Sequence, residues 1–204
     1  MRRILSLLVS GLTAGLEFWV LSGVLGLPEG TQYLKYLTVL SNLWLGIAET
    51  LYALSRFMNK VPTWVTRLKY IGATLTTLTF VTVLLYIGPK TGFVSAYEDA
   101  NLWLHLILPL LALFEYLILH REDILKPLDT LLPLLPIASY ATFYIGNLIQ
   151  NGYGGKHHPN DWYGFAETAP IGAYIAFAAL LLVGWLIAVF LQTACIEIRF
   201  TDDQ

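Results

Sequence analysis

Four ionisable side chains stand inside long apolar tracts of this sequence: Glu17, Glu49, His105 and Glu115. Placing such a group in hydrocarbon is costly, so each is a candidate for function. Thr38, Ser41 and Asn42 lie in the same tract as Glu49, and Tyr140, Tyr144 and Asn147 share a later one. A threonine hydroxyl becomes a nucleophile when a neighbouring base takes its proton. A neutral imidazole is such a base, and can afterwards protonate a leaving group. Asn42 and Asn101 are candidates to orient the pair or to donate to a developing oxyanion. Thr38 with His105 would then carry acyl transfer to threonine followed by hydrolysis, on an acyl chain entering sideways from lipid. Ser41, Glu49, Glu115, Tyr140, Tyr144 and Asn147 are the candidates for lining its cavity.

Other readings of the same residues stand beside this one. Thr38 could bond back to its own helix and His105 could be polar glue between helices. Glu17, Glu49 and Glu115 could instead form the proton or cation pathway of a small transporter or channel. The sequence shows Glu49 and Glu115 as a pair without an evident basic partner, and burial would favour their protonated forms. A non-catalytic membrane scaffold is the third reading.

The elements that must position these groups follow from composition. Of 204 residues, 56% are hydrophobic and only 13% charged, with a net charge of −2 and a mean hydropathy of +0.63. A soluble domain carries about 25% charged residues, so a soluble enzyme or a disordered chain is excluded. The charge balance gives no reason to expect a nucleic-acid partner. Charged residues gather in short clusters that leave six apolar tracts, predicted as helices at roughly 4–25, 34–55, 68–87, 101–119, 130–150 and 170–193. Each matches the ~20 residues that cross a bilayer core, and no alternation of a membrane β-barrel appears. The expected fold is all-α, a six-transmembrane-helix bundle forming one integral membrane domain over residues 1–204. Arg2 and Arg3 before an apolar run resemble a secretory signal, but the run passes twenty residues without a small-x-small site, so it is read as a retained span.

Basic residues set the orientation. Arg2, Arg3, Arg56, Lys60, Arg67, Lys69, Arg121, Lys126 and Arg199 fall on one side of the six-span reading, and Lys35, Lys90 and Lys156 on the other. That asymmetry puts both termini in the cytoplasm. Thr38 and His105 then lie within about two turns of the outer interface, while Glu49 and Glu115 lie ~15 Å deeper. Thr38, Asn42 and Glu49 share one helical face, Asn101, His105 and Pro109 another, and Tyr140, Tyr144 and Asn147 a third. Pro133 and Pro136 are expected to loosen the start of the fifth helix, and the threonines of the third helix to serve helix packing.

The segment Lys35-Tyr36-Leu37-Thr38-Val39-Leu40-Ser41-Asn42 resembles the second-helix motif of the androgen-induced and androgen-dependent membrane protein family. The tract Asn101-Leu102-Trp103-Leu104-His105-Leu106-Ile107-Leu108-Pro109, with Glu115 beyond it, is similar to that family's histidine-bearing helix. Its animal members are multi-pass hydrolases of lipid esters, including fatty acid esters of hydroxy fatty acids. The resemblance implies Thr38 as nucleophile and His105 as base, with membrane lipids and a lipid ester as partners. The aromatic loop Asp161-Trp162-Tyr163-Gly164-Phe165 is compatible with the same layout, whereas the preceding Gly-Gly-Lys-His-His-Pro-Asn departs from the family's usual wording.

Other motifs carry less. His157, His158 and Asp161 could approach a divalent metal, but adjacent histidines rarely both point at one ion, and a hydrated loop is the preferred reading. His120, beside Arg121, Glu122 and Asp123, reads as part of a charged turn. Cys195, the single cysteine, has no disulfide partner. No serine-hydrolase elbow, phosphate loop, zinc-protease or dinucleotide motif occurs, so no cofactor and no metal are expected. The chain is expected in the cell membrane of a prokaryote, or in endomembrane or plasma membrane otherwise.

Overall fold

The computed structural model describes the backbone of residues 2–119, 125–153 and 159–202, and the side chains of 4–119, 125–153 and 159–196. Among these residues the fold is all-helical, with six helices long and apolar enough to cross a membrane. They are α1 (Arg2–Leu25), α2 (Leu37–Phe57), α3 (Thr63–Thr91), α4 (Ala100–Leu119), α5 (Pro127–Asn151) and α6 (Ile171–Asp202). The apolar part of α6 is Ile171–Ile196. Large side chains such as Leu8, Leu135, Ile175 and Phe190 are exposed. That suits a bundle whose outer surface meets lipid, where backbone polar groups must be satisfied within each helix.

Ionisable side chains sit inside among apolar ones while large apolar side chains cover much of the outside, unlike a water-soluble bundle. Glu17, Asn42, Glu49, Lys69 and Glu115 are all buried. Between them lie apolar contacts: Val20, Leu21, Val39, Leu104 and Leu108 join α1, α2 and α4. Leu75, Leu78 and Ile137 join α3 to α5. Tyr70, Tyr116, Ala188 and Leu191 close the opposite end between α3, α4 and α6.

Three departures from the sequence reading bear on the site. First, α2 begins at Leu37, three residues later than the predicted Leu34. Gly30–Lys35 forms a separate 3-10 turn and Tyr36 is extended, with φ −87° and ψ 132°. Gly30 allows this turn because a Cβ there would strike the backbone of Leu25. Second, α3 begins at Thr63, after the extended Pro62, rather than at Leu68. Lys69 therefore lies inside the span and not at its edge. Third, α3 and α4 are not uniform: Val83–Ile87, Trp103–Ile107 and Glu115–Leu119 are π-helical turns. Such turns are rare and concentrate at functional sites, and two of them carry His105 and Glu115. In α5 the expected loosening appears as a 3-10 turn at Pro127–Leu131 before the α-helix begins at Leu134.

Candidate active site

The polar residues form two layers of opposite character. In the deeper one, the Lys69 ammonium meets Glu49 Oε2 at 3.0 Å, pairs with Glu115 Oε2 and donates to Ser10 Oγ at 3.1 Å. Ser10 in turn donates to Glu115 Oε1 at 2.9 Å, and the Tyr52 ring lies 3.6 Å from the ammonium. Four helices contribute, and the lysine is fully inaccessible. This corrects two expectations: Glu49 and Glu115 do have a basic partner, and Lys69 does not belong with the interfacial basic residues. Neither carboxylate lines a cavity among those described. Sequence spacing missed the partner because Lys69 stands beside Arg67 and reads as helix-end charge. Glu17 is buried against Gly46 of α2, and neither of its carboxylate oxygens has a hydrogen-bond partner.

The shallower layer is built on the start of α2. The first N–H groups of a helix lack intrahelical acceptors, and here the first α-type bond belongs to Leu40. The N–H of Leu37 is taken by the Tyr163 hydroxyl at 2.8 Å. The N–H groups of Thr38 and Val39 have no acceptor among the described residues. Burial holds the Tyr163 phenol well above its ordinary pKa, so it stays neutral.

Thr38 is 92% buried, being 8% exposed, yet its hydroxyl makes no hydrogen bond to a described residue. Thr50, Thr74, Thr76, Thr79 and Thr82 all donate to the carbonyl four residues back, the usual refuge of a threonine in a membrane helix. The back-bonded reading of Thr38 is thereby set aside. Thr38 lines a cavity of about 20 Å³ with Leu37, Thr79, Thr82, Tyr140 and Tyr163, room for one water molecule. Leu37 and Tyr140 also line an apolar groove of about 610 Å³ that runs from Leu34 to Ile47 between α2 and α5.

His105 stands in the π-turn of α4, and its Nδ1 lies 2.8 Å from the carbonyl oxygen of Ala96. A carbonyl can only accept, so this contact puts the proton on Nδ1 and leaves Nε2 with its lone pair. Asn42 links the two segments: its amide donates to the carbonyl of Thr38 at 2.8 Å and to that of Leu104 at 3.2 Å. A single buried side chain thus bridges the first turn of α2, which carries Thr38, to the residue before His105. His105 is not among the residues lining the water-sized cavity.

The remaining candidates sort as follows. The Asn42 amide is committed to two carbonyls, so it positions helices and does not serve as an oxyanion donor. Asn101 is exposed and lines none of the described cavities. Ser41 donates to the Thr38 carbonyl at 2.9 Å, meets Thr79 Oγ1 at 3.2 Å and lines the apolar groove. Tyr140 lines cavity and groove as expected, and donates to the Lys35 carbonyl at 2.6 Å.

Tyr144 and Asn147 do not line a described cavity but fasten the loop before α6. Tyr144 donates to Asp161, and Asn147 donates to the Asn160 carbonyl at 3.0 Å. Asp161 also accepts from the N–H groups of Phe165 and Ala166 at 2.9 and 2.8 Å. Its carboxylate is engaged in shaping a turn and is not free for a metal. His157, His158 and His120 lie outside the described residues, and no cluster of three or more metal-binding side chains occurs among those described. Thr79, Thr82 and Tyr163 were not singled out from sequence; the first two read as packing threonines, and only the loop's return to α2 brings the third into place. The chain matches no protein-family model, no curated protein and no solved structure.

Proposed function

We propose that this protein is an intramembrane lipid-ester hydrolase, of the type that cleaves fatty acid esters of hydroxy fatty acids. The observation that carries the reading is the Thr38 hydroxyl, without a hydrogen-bond partner among the described residues, on a largely buried residue that lines a water-sized cavity sharing walls with an apolar groove. Nε2 of His105 takes the Thr38 proton as the oxygen attacks the ester carbonyl. The N–H groups of Thr38 and Val39, without an acceptor among the described residues, would donate to the oxyanion. As the carbonyl re-forms, the alcohol leaves with the proton from His105, and the acyl group stays on Thr38. A water then attacks that acyl group, giving its proton to His105, and the carboxylic acid departs as Thr38 regains a hydrogen. The acyl chain would lie in the groove between α2 and α5. Transport through Glu49 and Glu115 is less favoured, because both carboxylates are paired with the buried Lys69 and neither lines a described cavity. The purified protein should be labelled by an activity-based serine/threonine hydrolase probe, and Thr38→Ala and His105→Ala should each abolish labelling. Labelling that survives both substitutions would overturn the assignment.

A further inference from the structure

A second cleft, of about 690 Å³, opens above the site and contains Lys35, Tyr36, Tyr86, Lys90, Trp162 and Tyr163. We infer that it binds the oxyanion headgroup of an acidic membrane lipid, with Lys35 as its cation. The charge inventory supports this. Lys90 is already paired with Glu167 at 2.9 Å and donates to the Gly164 carbonyl at 3.3 Å. Gly164, at φ +67°, permits that contact because a Cβ would collide with the lysine. The oxygens of Asp161 are engaged in the loop. Lys35 has no carboxylate partner among the described residues; its ammonium lies 5.4 Å from the ring centroids of both Tyr36 and Trp162. Lys35 is therefore the cation of the cleft that has no ion-pair partner among the described residues.

Tyr36 supplies a hydrogen-bond donor beside it. Its hydroxyl is unpaired among the described residues, and burial, aided by Tyr33, raises its pKa so that the proton stays in place. An ammonium on aromatic faces with a phenol at hand suits a phosphate or carboxylate group. The apolar groove identifies the rest of the ligand. It begins at Leu34, next to Lys35, and ends at Ile47, a run of ~20 Å along the helices. A cation at the interface over a long lipid-facing groove fits an amphiphile with an acidic head better than a dissolved anion. A zwitterionic head brings its own cation to Lys35 and is disfavoured. The inference goes beyond ester cleavage and does not require Thr38 to be a nucleophile.

Native mass spectrometry of the detergent-solubilised full chain tests it. Phosphatidylglycerol, phosphatidylcholine with the same chains, a long-chain fatty acid and inorganic phosphate are titrated separately. Phosphatidylglycerol and the fatty acid should bind more tightly than phosphatidylcholine, and inorganic phosphate should not bind. Lys35→Gln should weaken phosphatidylglycerol about fivefold, the effect of one lysine at a membrane surface. Lys35→Arg should restore binding, and the exposed Lys60→Gln should leave it unchanged. Equal binding of the two phospholipids, insensitivity to Lys35→Gln, or binding of inorganic phosphate as tight as the lipid would each overturn it. Should Lys35→Gln fail to fold, wild-type binding must weaken with added salt; binding that ignores salt overturns the proposal. Thr38→Ala should retain lipid binding, so loss of hydrolysis and loss of this site are read separately.

Discussion

The two polar layers of the bundle spend buried polar groups in opposite ways. Around Lys69, each ammonium proton has an acceptor and the remaining face rests on Tyr52, although the nearby Glu17 carboxylate has no hydrogen-bond partner among the described residues. Around Thr38, a hydroxyl and two backbone N–H groups remain unpaired beside a cavity. A saturated network rigidifies a core, whereas an unsaturated one leaves groups available to a ligand. Charge alone therefore does not distinguish a fastening from a site. The ionised cluster is a fastening between four helices, and the uncharged threonine is the better candidate for chemistry.

Substitutions test that division. Thr38→Ala should lower ester hydrolysis by roughly 10³-fold or more, as loss of a nucleophile does, with an unchanged melting transition in detergent. His105→Ala should cost on the order of 10²–10⁴-fold, the contribution of a positioned base. Lys69→Met should act on stability instead, by about 3–5 kcal/mol, since it strands two buried carboxylates. Thermal unfolding measures this, and adding Glu49→Leu and Glu115→Leu should recover most of the loss. If the triple variant lost hydrolysis while folding normally, the deeper layer would belong to the site after all. Asp161→Ala releases two backbone N–H groups and Tyr144, so it should cost about 1–3 kcal/mol and open the loop to protease. Tyr163→Phe removes the acceptor for the Leu37 N–H together with the hydroxyl's contact with Tyr140; about 1–2 kcal/mol is expected, read as faster amide exchange at the start of α2.

Much of this organisation was legible in the sequence. Six spans follow from apolar length, and the shared depth of Thr38 with His105 and of Glu49 with Glu115 follows from helical rise. The Lys69 partnership was not legible, because helix start signals around Thr63 are weak and two nearby basic residues resemble an interface. The first-turn position of Thr38 was also hidden: Lys35 and Tyr36 continue an apolar helical pattern, and only the conformation of Tyr36 breaks it. Of the two tasks the sequence suggests for Asn42, orienting agrees with its bridge between two carbonyls and oxyanion donation does not. Its spacing from Thr38 was visible, but its reach to the carbonyl before His105 depends on how α2 and α4 cross.

The Tyr163 hydroxyl belongs to a loop far along the chain, yet it holds the leading amide of the helix that carries Thr38. Were that hydrogen bond broken, the Leu37 amide would join those of Thr38 and Val39 without an acceptor among the described residues. One phenol thus ties the exposure of a helix start to the seating of a segment more than a hundred residues away.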